Sequence, residues 1–172
     1  IRWLILGGHM VDSQLIVRHD LQPGDLGRVL YWHGVLYRQE QSWNEGFEAY
    51  VAEGLGRFGH AYDARRDRLW LATREEQFAG CIAVIHAQDR RAQLRWLLVH
   101  PEYRGRGLGR RLLEEALAFA RAVDYDSLFL WTVAGLEAAT ELYISFGFRQ
   151  TADETRPLWG GTLTELCYEL EL

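Results

Sequence analysis

The stretch Leu97-Leu98-Val99-His100-Pro101-Glu102-Tyr103-Arg104-Gly105-Arg106-Gly107-Leu108-Gly109-Arg110-Arg111-Leu112-Leu113 decides how this 172-residue chain is read. Its apolar start reads as a strand, its middle as a glycine- and arginine-rich loop, and its end as an amphipathic helix. Glycine lets the backbone approach a ligand closely and tolerates dihedrals that a Cβ forbids. The first turn of a helix presents unpaired N–H groups at the positive end of its dipole. Loop and helix start together make a site for a phosphate or pyrophosphate, and Arg104, Arg106, Arg110 and Arg111 add matching charge. Spacing excludes two commoner anion loops. A P-loop needs Lys-Ser or Lys-Thr after its last glycine, and neither follows here. A dinucleotide fingerprint needs G-x-G-x-x-G, but the third glycine position after Gly105 and Gly107 is Arg110.

What is left is Arg104-x-x-Gly107-x-Gly109, preceded by Val-x-Pro and followed by a helix. Downstream lies an apolar strand, Leu128-Phe129-Leu130-Trp131-Thr132-Val133, and then a helix ending Ala139-Thr140-Glu141-Leu142-Tyr143-Ile144-Ser145-Phe146-Gly147-Phe148. Gly147 suits the left-handed position that closes a helix. The first pattern resembles the acetyl-CoA pyrophosphate loop of the GNAT superfamily of N-acetyltransferases. The second, Ala-x-x-Leu-Tyr-x-x-x-Gly-Phe, resembles another signature of the same family. The resemblance covers residues 15–172. The stretches Pro23-Gly24-Asp25-Leu26-Gly27, His33-Gly34-x-Leu36-Tyr37, Trp43 and Phe47-Glu48-Ala49 are similar to the acetyltransferase half of proteins that fuse a MarR-type repressor to a GNAT domain.

Composition sets bounds that agree. With 48% hydrophobic residues the chain can bury a substantial core. No apolar run is long enough to span a membrane. A net charge of −5 argues against general nucleic-acid binding, whereas a locally basic loop on an acidic protein suits a small polyanionic cofactor. Cys81 and Cys167 fall in expected strands and read as small buried hydrophobes in a reducing cytoplasm; no spacing suggests a metal site or a disulfide framework. Gly8-His9-Met10 resembles a cloning scar, so residues 1–9 read as a tag or vector-derived segment and residues 10–172 as a single domain.

Along the chain, periodicity predicts a short strand at Leu15–Arg18 and a turn at Pro23-Gly24-Asp25, with Asp25 as helix N-cap. Leu26, Leu30, His33, Tyr37 and Glu40 then share one helical face. A second helix starts near Asn44 with Phe47, Tyr50, Val51, Leu55 and Phe58 on its stripe. Strands follow at residues 69–73, 78–86 and 92–99. The helix after the loop turns Leu108, Leu112, Leu113, Ala116, Leu117 and Ala120 inward. A helix at residues 136–146, a strand at 148–152, a loop at 154–161 and a strand at 163–170 complete the order. The resemblance implies a GNAT fold of α/β (α+β) class: a mixed, mostly antiparallel sheet of about seven strands flanked by about four helices.

The resemblance also implies direct transfer of acetyl from acetyl-CoA to an amine, with no metal. Backbone groups of Leu97, Leu98 and Val99 are expected along the pantetheine arm, with the N–H of Leu98 or Val99 polarising the thioester carbonyl. The loop Arg104, Gly105, Arg106, Gly107, Leu108, Gly109 and Arg110 is expected around the pyrophosphate. Tyr143 matches the family tyrosine that protonates the departing thiolate; plain core packing is its other reading. The base is open. Some members carry a glutamate early in the fourth strand, where Gln93 stands here. Glu40 and His33 are the candidates, against surface or capping roles or a water chain. Val133 stands where many relatives have asparagine. Trp32, Trp43, Trp96, Trp131 and Trp159 lie in segments able to border an acceptor cleft, or simply pack the core. The segment Trp159-Gly160-Gly161 reads as a lid or as a hairpin.

The expected acceptor is a small-molecule amine, with no nucleic-acid or membrane partner and a homodimer compatible with the family. Two other functions fit the same residues: a protein lysine or N-terminal acetyltransferase, and a non-catalytic acetyl-CoA-binding sensor.

Overall fold

The computed structural model describes residues 15–172 in full, with the backbone of two short antiparallel strands, β1 (Trp3–Leu6) and β2 (His9–Asp12). The reading of residues 1–9 as vector-derived lies outside the fully described residues. From there the order is β3 (Leu15–Arg18), α1 (Asp25–Gln41), α2 (Glu45–Ala61), β4 (Arg68–Arg74), β5 (Gln77–Gln88), β6 (Arg91–Val99), α3 (Leu108–Ala122), β7 (Ser127–Val133), α4 (Glu137–Ser145), β8 (Arg149–Leu158) and β9 (Gly161–Glu171). Strands β3 to β9 form one seven-stranded sheet in the order β3-β4-β5-β6-β7-β9-β8. Every neighbouring pair is antiparallel except β6–β7. A parallel pair needs a crossover, and the glycine loop with α3 supplies it. The expected mixed sheet with four helices is the one observed.

Apolar residues alternate along the strands and so build a core on each face of the sheet. Under α3, Leu112, Leu113, Ala116 and Ala120 meet Trp70, Val84, Ala92 and Leu94. On the opposite face Val29, Leu36, Val51 and Leu55 of α1 and α2 meet Leu69, Leu71 and Cys81. The inward stripe expected for α3 is buried throughout.

One irregularity shapes everything that follows. Ala83 pairs with Arg95 and Cys81 pairs with Leu98, so Trp96 and Leu97 together oppose Ile82. Trp96 has φ +53°, a left-handed conformation that costs a bulky residue on the order of 1–3 kcal/mol. This bulge reverses the parity of β6. Ala92 and Leu94 face α3, but Trp96 and Leu98 face α1 and α2. Pairing with β7 reaches only Gln93↔Phe129, after which β7 continues against β9 alone. The sheet is therefore forked between β6 and β7.

Three local expectations are corrected. Asp25 is not the N-cap of α1. Gly24 takes that place in the left-handed conformation, and Asp25 is the first helical residue. Its carboxylate is buried and receives Arg18 Nη1 and Nη2 at 2.8 and 2.5 Å and the Gln22 amide at 2.8 Å. The buried stripe of α1 is Asp25, Val29, His33 and Leu36, one step round from the expected face. The segment at 154–161 is not a loop but the second half of β8, its turn and the first residue of β9. Polar Asp153-Glu154-Thr155-Arg156 is exposed yet extended, because β9 satisfies one side and Pro157 is tolerated at a sheet edge. Trp159 and Gly160, with φ +49° and +94°, make the two-residue hairpin turn.

Candidate active site

The fork opens into two cavities. The first, about 580 Å³, lies between the glycine loop, the end of β6 and α4. Leu97, Leu98, Val99, Arg104, Gly105, Gly107, Leu108, Gly109 and Arg110, all singled out from the sequence, line it. Arg106 is exposed and is not among its lining residues. Gly105 and Gly107 have φ +70° and +81°. Gly107 caps α3 with no side-chain acceptor, so the amides of the first turn face the groove unsatisfied by any cap. On the far wall Gly135 turns with φ +97°. An anionic, extended ligand fits this wall: free amides, a left-handed loop and two arginines. Arg104 Nε donates to Val99 O at 2.9 Å, and Arg110 Nη2 to Ser145 Oγ at 3.3 Å.

The second cavity, about 110 Å³, lies on the other side of the fork. His33, Gln93, Arg95, Val133, Tyr143 and Glu165 line it, with an aromatic wall. Of the five tryptophans singled out from sequence, Trp43, Trp96, Trp131 and Trp159 border it. Trp32 does not; it stacks on Phe78 and meets His100 edge-on. Tyr37 stacks on Trp43 with centroids 4.8 Å apart and planes 9° apart. Trp159 packs at 4.7 Å from Trp43 and 4.9 Å from Phe47, and its carbonyl accepts from the Asn44 amide at 3.0 Å. The hairpin turn thus closes one end of the cavity.

Tyr37, Leu97, Leu136 and Ala139 line both cavities, so the two spaces meet at these residues. Tyr143 stands on the smaller cavity's side of that junction. Burial, and then the neighbouring Tyr37, raise its phenol well above the ordinary range, so it is protonated at neutral pH. Burial likewise pushes Tyr37 up to about 12. Sequence singled out Tyr37 as part of a helical face and of the His33-Gly34-x-Leu36-Tyr37 stretch; nothing in its spacing marks it as shared by two cavities.

The two basic candidates separate. His33 is 3% exposed. Its Nδ1 lies 2.8 Å from Val29 O. A carbonyl only accepts, so Nδ1 carries the proton and Nε2 keeps a lone pair. Burial, with a contribution from Arg95, holds the imidazole down to about 4, against a favourable bond to Val29. Glu40 instead lines the larger groove, doubly bonded to Arg104. Glu165, missed from the sequence, is 7% exposed on β9 and is held by the Arg156 guanidinium. Val133 is buried. Among the described residues no group of three His, Cys, Asp or Glu is placed to hold a metal ion, and no helix is long and apolar enough to cross a membrane.

A sheet forked at its one parallel pair, with a glycine-rich anion loop in the fork, defines a class, that of GNAT-type acyltransferases. The model of the acetyltransferase (GNAT) family matches residues 30–148, and the chain belongs to that family. It is similar to N-acetyltransferase family 8 member 3 of Rattus norvegicus, 36% identical over 49% of this chain and 39% of that protein. It is also similar to N-acetylaspartate synthetase of Danio rerio, 34% identical over 51% of this chain and 33% of that protein. The chain therefore spans well under two thirds of these relatives. Among solved structures, an acetyltransferase from Streptococcus agalactiae superposes with a TM-score of 0.73 at 22% identity, covering 94% of this chain and all of that one (100%). A GNAT family acetyltransferase from Elizabethkingia anophelis with acetyl-CoA bound gives 0.66 at 16% identity, over 94% and 100%.

Proposed function

We propose that the protein is an N-acetyltransferase that moves the acetyl group of acetyl-CoA directly to the primary amine of a small molecule. The meeting of an anion-binding groove and a small enclosed cavity at Tyr37, Leu97, Leu136 and Ala139 carries this reading. Acetyl-CoA supplies an activated acyl group; the chain supplies position, dryness and proton traffic.

The loop from Gly105 to Gly109 and the first-turn amides of α3 hold the pyrophosphate, with Arg104 and Arg110 adding charge-assisted bonds. The unpaired edge of β6 at Leu97, Leu98 and Val99 aligns the pantetheine arm, and the Leu98 or Val99 amide polarises the reacting carbonyl. Holding amine and thioester at the junction converts a two-body encounter into an oriented one. His33 Nε2 accepts the proton that the amine loses. It is a weak base, yet it is neutral and available at physiological pH. The Tyr143 hydroxyl donates to the departing sulfur, and its raised pKa keeps that proton in place until negative charge develops. Glu40, committed to Arg104, is assigned to loop positioning rather than to proton transfer. The amine nitrogen gains a bond to the acyl carbon, the carbon–sulfur bond breaks, and free thiol leaves.

Thiol release from acetyl-CoA across a panel of small amines tests the reading. Acceptor-dependent release supports it; acetyl-CoA binding with no release from any amine contradicts it.

A further inference from the structure

The smaller cavity holds a charge that the transfer chemistry leaves unused. Arg95 reaches it by alternation with Leu94, which faces α3, and the β6 bulge that follows brings the adjacent Trp96 to the same face of the sheet. Its guanidinium is built into place. Nη2 donates to Tyr50 Oη at 3.2 Å, and Cζ lies 5.0 Å from the Trp96 ring centroid and 5.5 Å from that of Tyr50. A Cβ on Gly54 of α2 would come within 3.0 and 3.1 Å of Nη2 and Nη1, so glycine there makes the room.

Among the described residues, no carboxylate forms an ion pair with Arg95, whereas the Glu165 carboxylate in the same cavity is matched by Arg156. Tyr50 takes one of five guanidinium N–H groups. The Trp96 indole N–H is buried with no acceptor among the described residues. His33 is neutral. The cavity thus carries unneutralised positive charge and a buried orphan donor beside it, and both call for an anionic acceptor group.

Resting on the transferase reading, we propose that the acceptor is an α-amino carboxylate with an apolar or aromatic side chain. Arg95, with Trp96 beside it, binds the carboxylate, and the Tyr37–Trp43–Phe47–Trp159 wall takes the side chain. Size sets a bound: a cavity of about 110 Å³ takes a small molecule and not a protein segment.

The test compares L-phenylalanine, L-phenylalaninamide and phenethylamine in two readouts with saturating CoA or acetyl-CoA: binding by calorimetry and turnover by thiol release. Wild-type protein should bind phenylalanine about 10- to 100-fold tighter than the amide. Arg95→Met should erase that gap while leaving acetyl-CoA affinity and melting temperature unchanged, and Arg95→Lys should restore part of it. Equal binding of acid and amide, a gap that survives Arg95→Met, or no binding of phenylalanine overturns the proposal. Binding that depends on Arg95 without thiol release keeps the carboxylate site and refutes the transferase. Thiol release from phenethylamine that matches that from phenylalanine, and is indifferent to Arg95, does the reverse.

Discussion

The Glu40 carboxylate accepts two bonds from Arg104 Nη2, at 2.9 and 3.1 Å, and ties helix α1 to the glycine loop across the larger groove. The pair is half-exposed, so its direct worth to stability is small. Its electrostatic effect is larger, since Glu40 neutralises a cation that an entering pyrophosphate would otherwise meet. Glu40→Gln should bind acetyl-CoA several-fold tighter at low salt, with the gain fading near 1 M salt, and should keep kcat within about threefold. A kcat loss of about a hundredfold would return Glu40 to the role of base.

Tyr143→Phe separates chemistry from packing. The phenyl ring keeps the buried contact with Phe148, 5.8 Å between centroids. The expected result is a kcat lower by about 10² to 10³ with acetyl-CoA affinity held within about twofold. Unchanged kcat would make Tyr143 a core residue only.

His33 makes stability depend on pH. Its folded pKa, about 4, lies below the ordinary value of 6.5. Between those values the unfolded chain takes up a proton that the folded chain refuses, so stability is full above 6.5 and declines as pH falls toward 4. The loss by pH 4 is on the order of 3 kcal/mol. Denaturant midpoints measured across that window should slope downward with acid, and His33→Gln should flatten the slope. Asp63, held down to about 2 by Arg65, acts in a lower window and does not confuse the reading.

Asp25 anchors the start of α1 through Arg18. Its side chain is 3% exposed and that of Arg18 is 22%. Asp25→Ala leaves Arg18 partly desolvated and the Gln22 amide unpaired. It should cost about 3 kcal/mol, the low end for a broken buried pair because Arg18 keeps some water. Thermal unfolding should shift down by roughly 10 °C. No shift would mean that water replaces the carboxylate without cost.

The fold was legible where one segment both carried its periodicity and met one partner. The stripe Leu108, Leu112, Leu113, Ala116 is read from spacing alone because α3 lies on one sheet face. Residues 154–161 were illegible as strand because their pairing with β9, not their own propensity, extends them. The groove loop was legible because glycine spacing encodes a backbone shape. The Arg106 side chain is exposed outside the groove lining, which glycine spacing does not record. The smaller cavity was mostly hidden. Nothing in Leu94-Arg95-Trp96-Leu97 announces a bulge, and a plain alternation would have put Arg95 and Trp96 on opposite faces. Glu165 and Tyr37 come to the site from β9 and α1, brought there by a topology that no local pattern contains.

The central claim is that the glycine loop holds the pyrophosphate of acetyl-CoA, and calorimetric titration of wild type against Gly107→Glu tests it most directly. Gly107 sits at φ +81° at the mouth of α3, where a glutamate adds bulk and negative charge. The account predicts one acetyl-CoA bound per wild-type chain and none detectable for the variant, with the variant's fold verified by its circular dichroism and unfolding midpoint. Undiminished binding by a folded Gly107→Glu protein would contradict it.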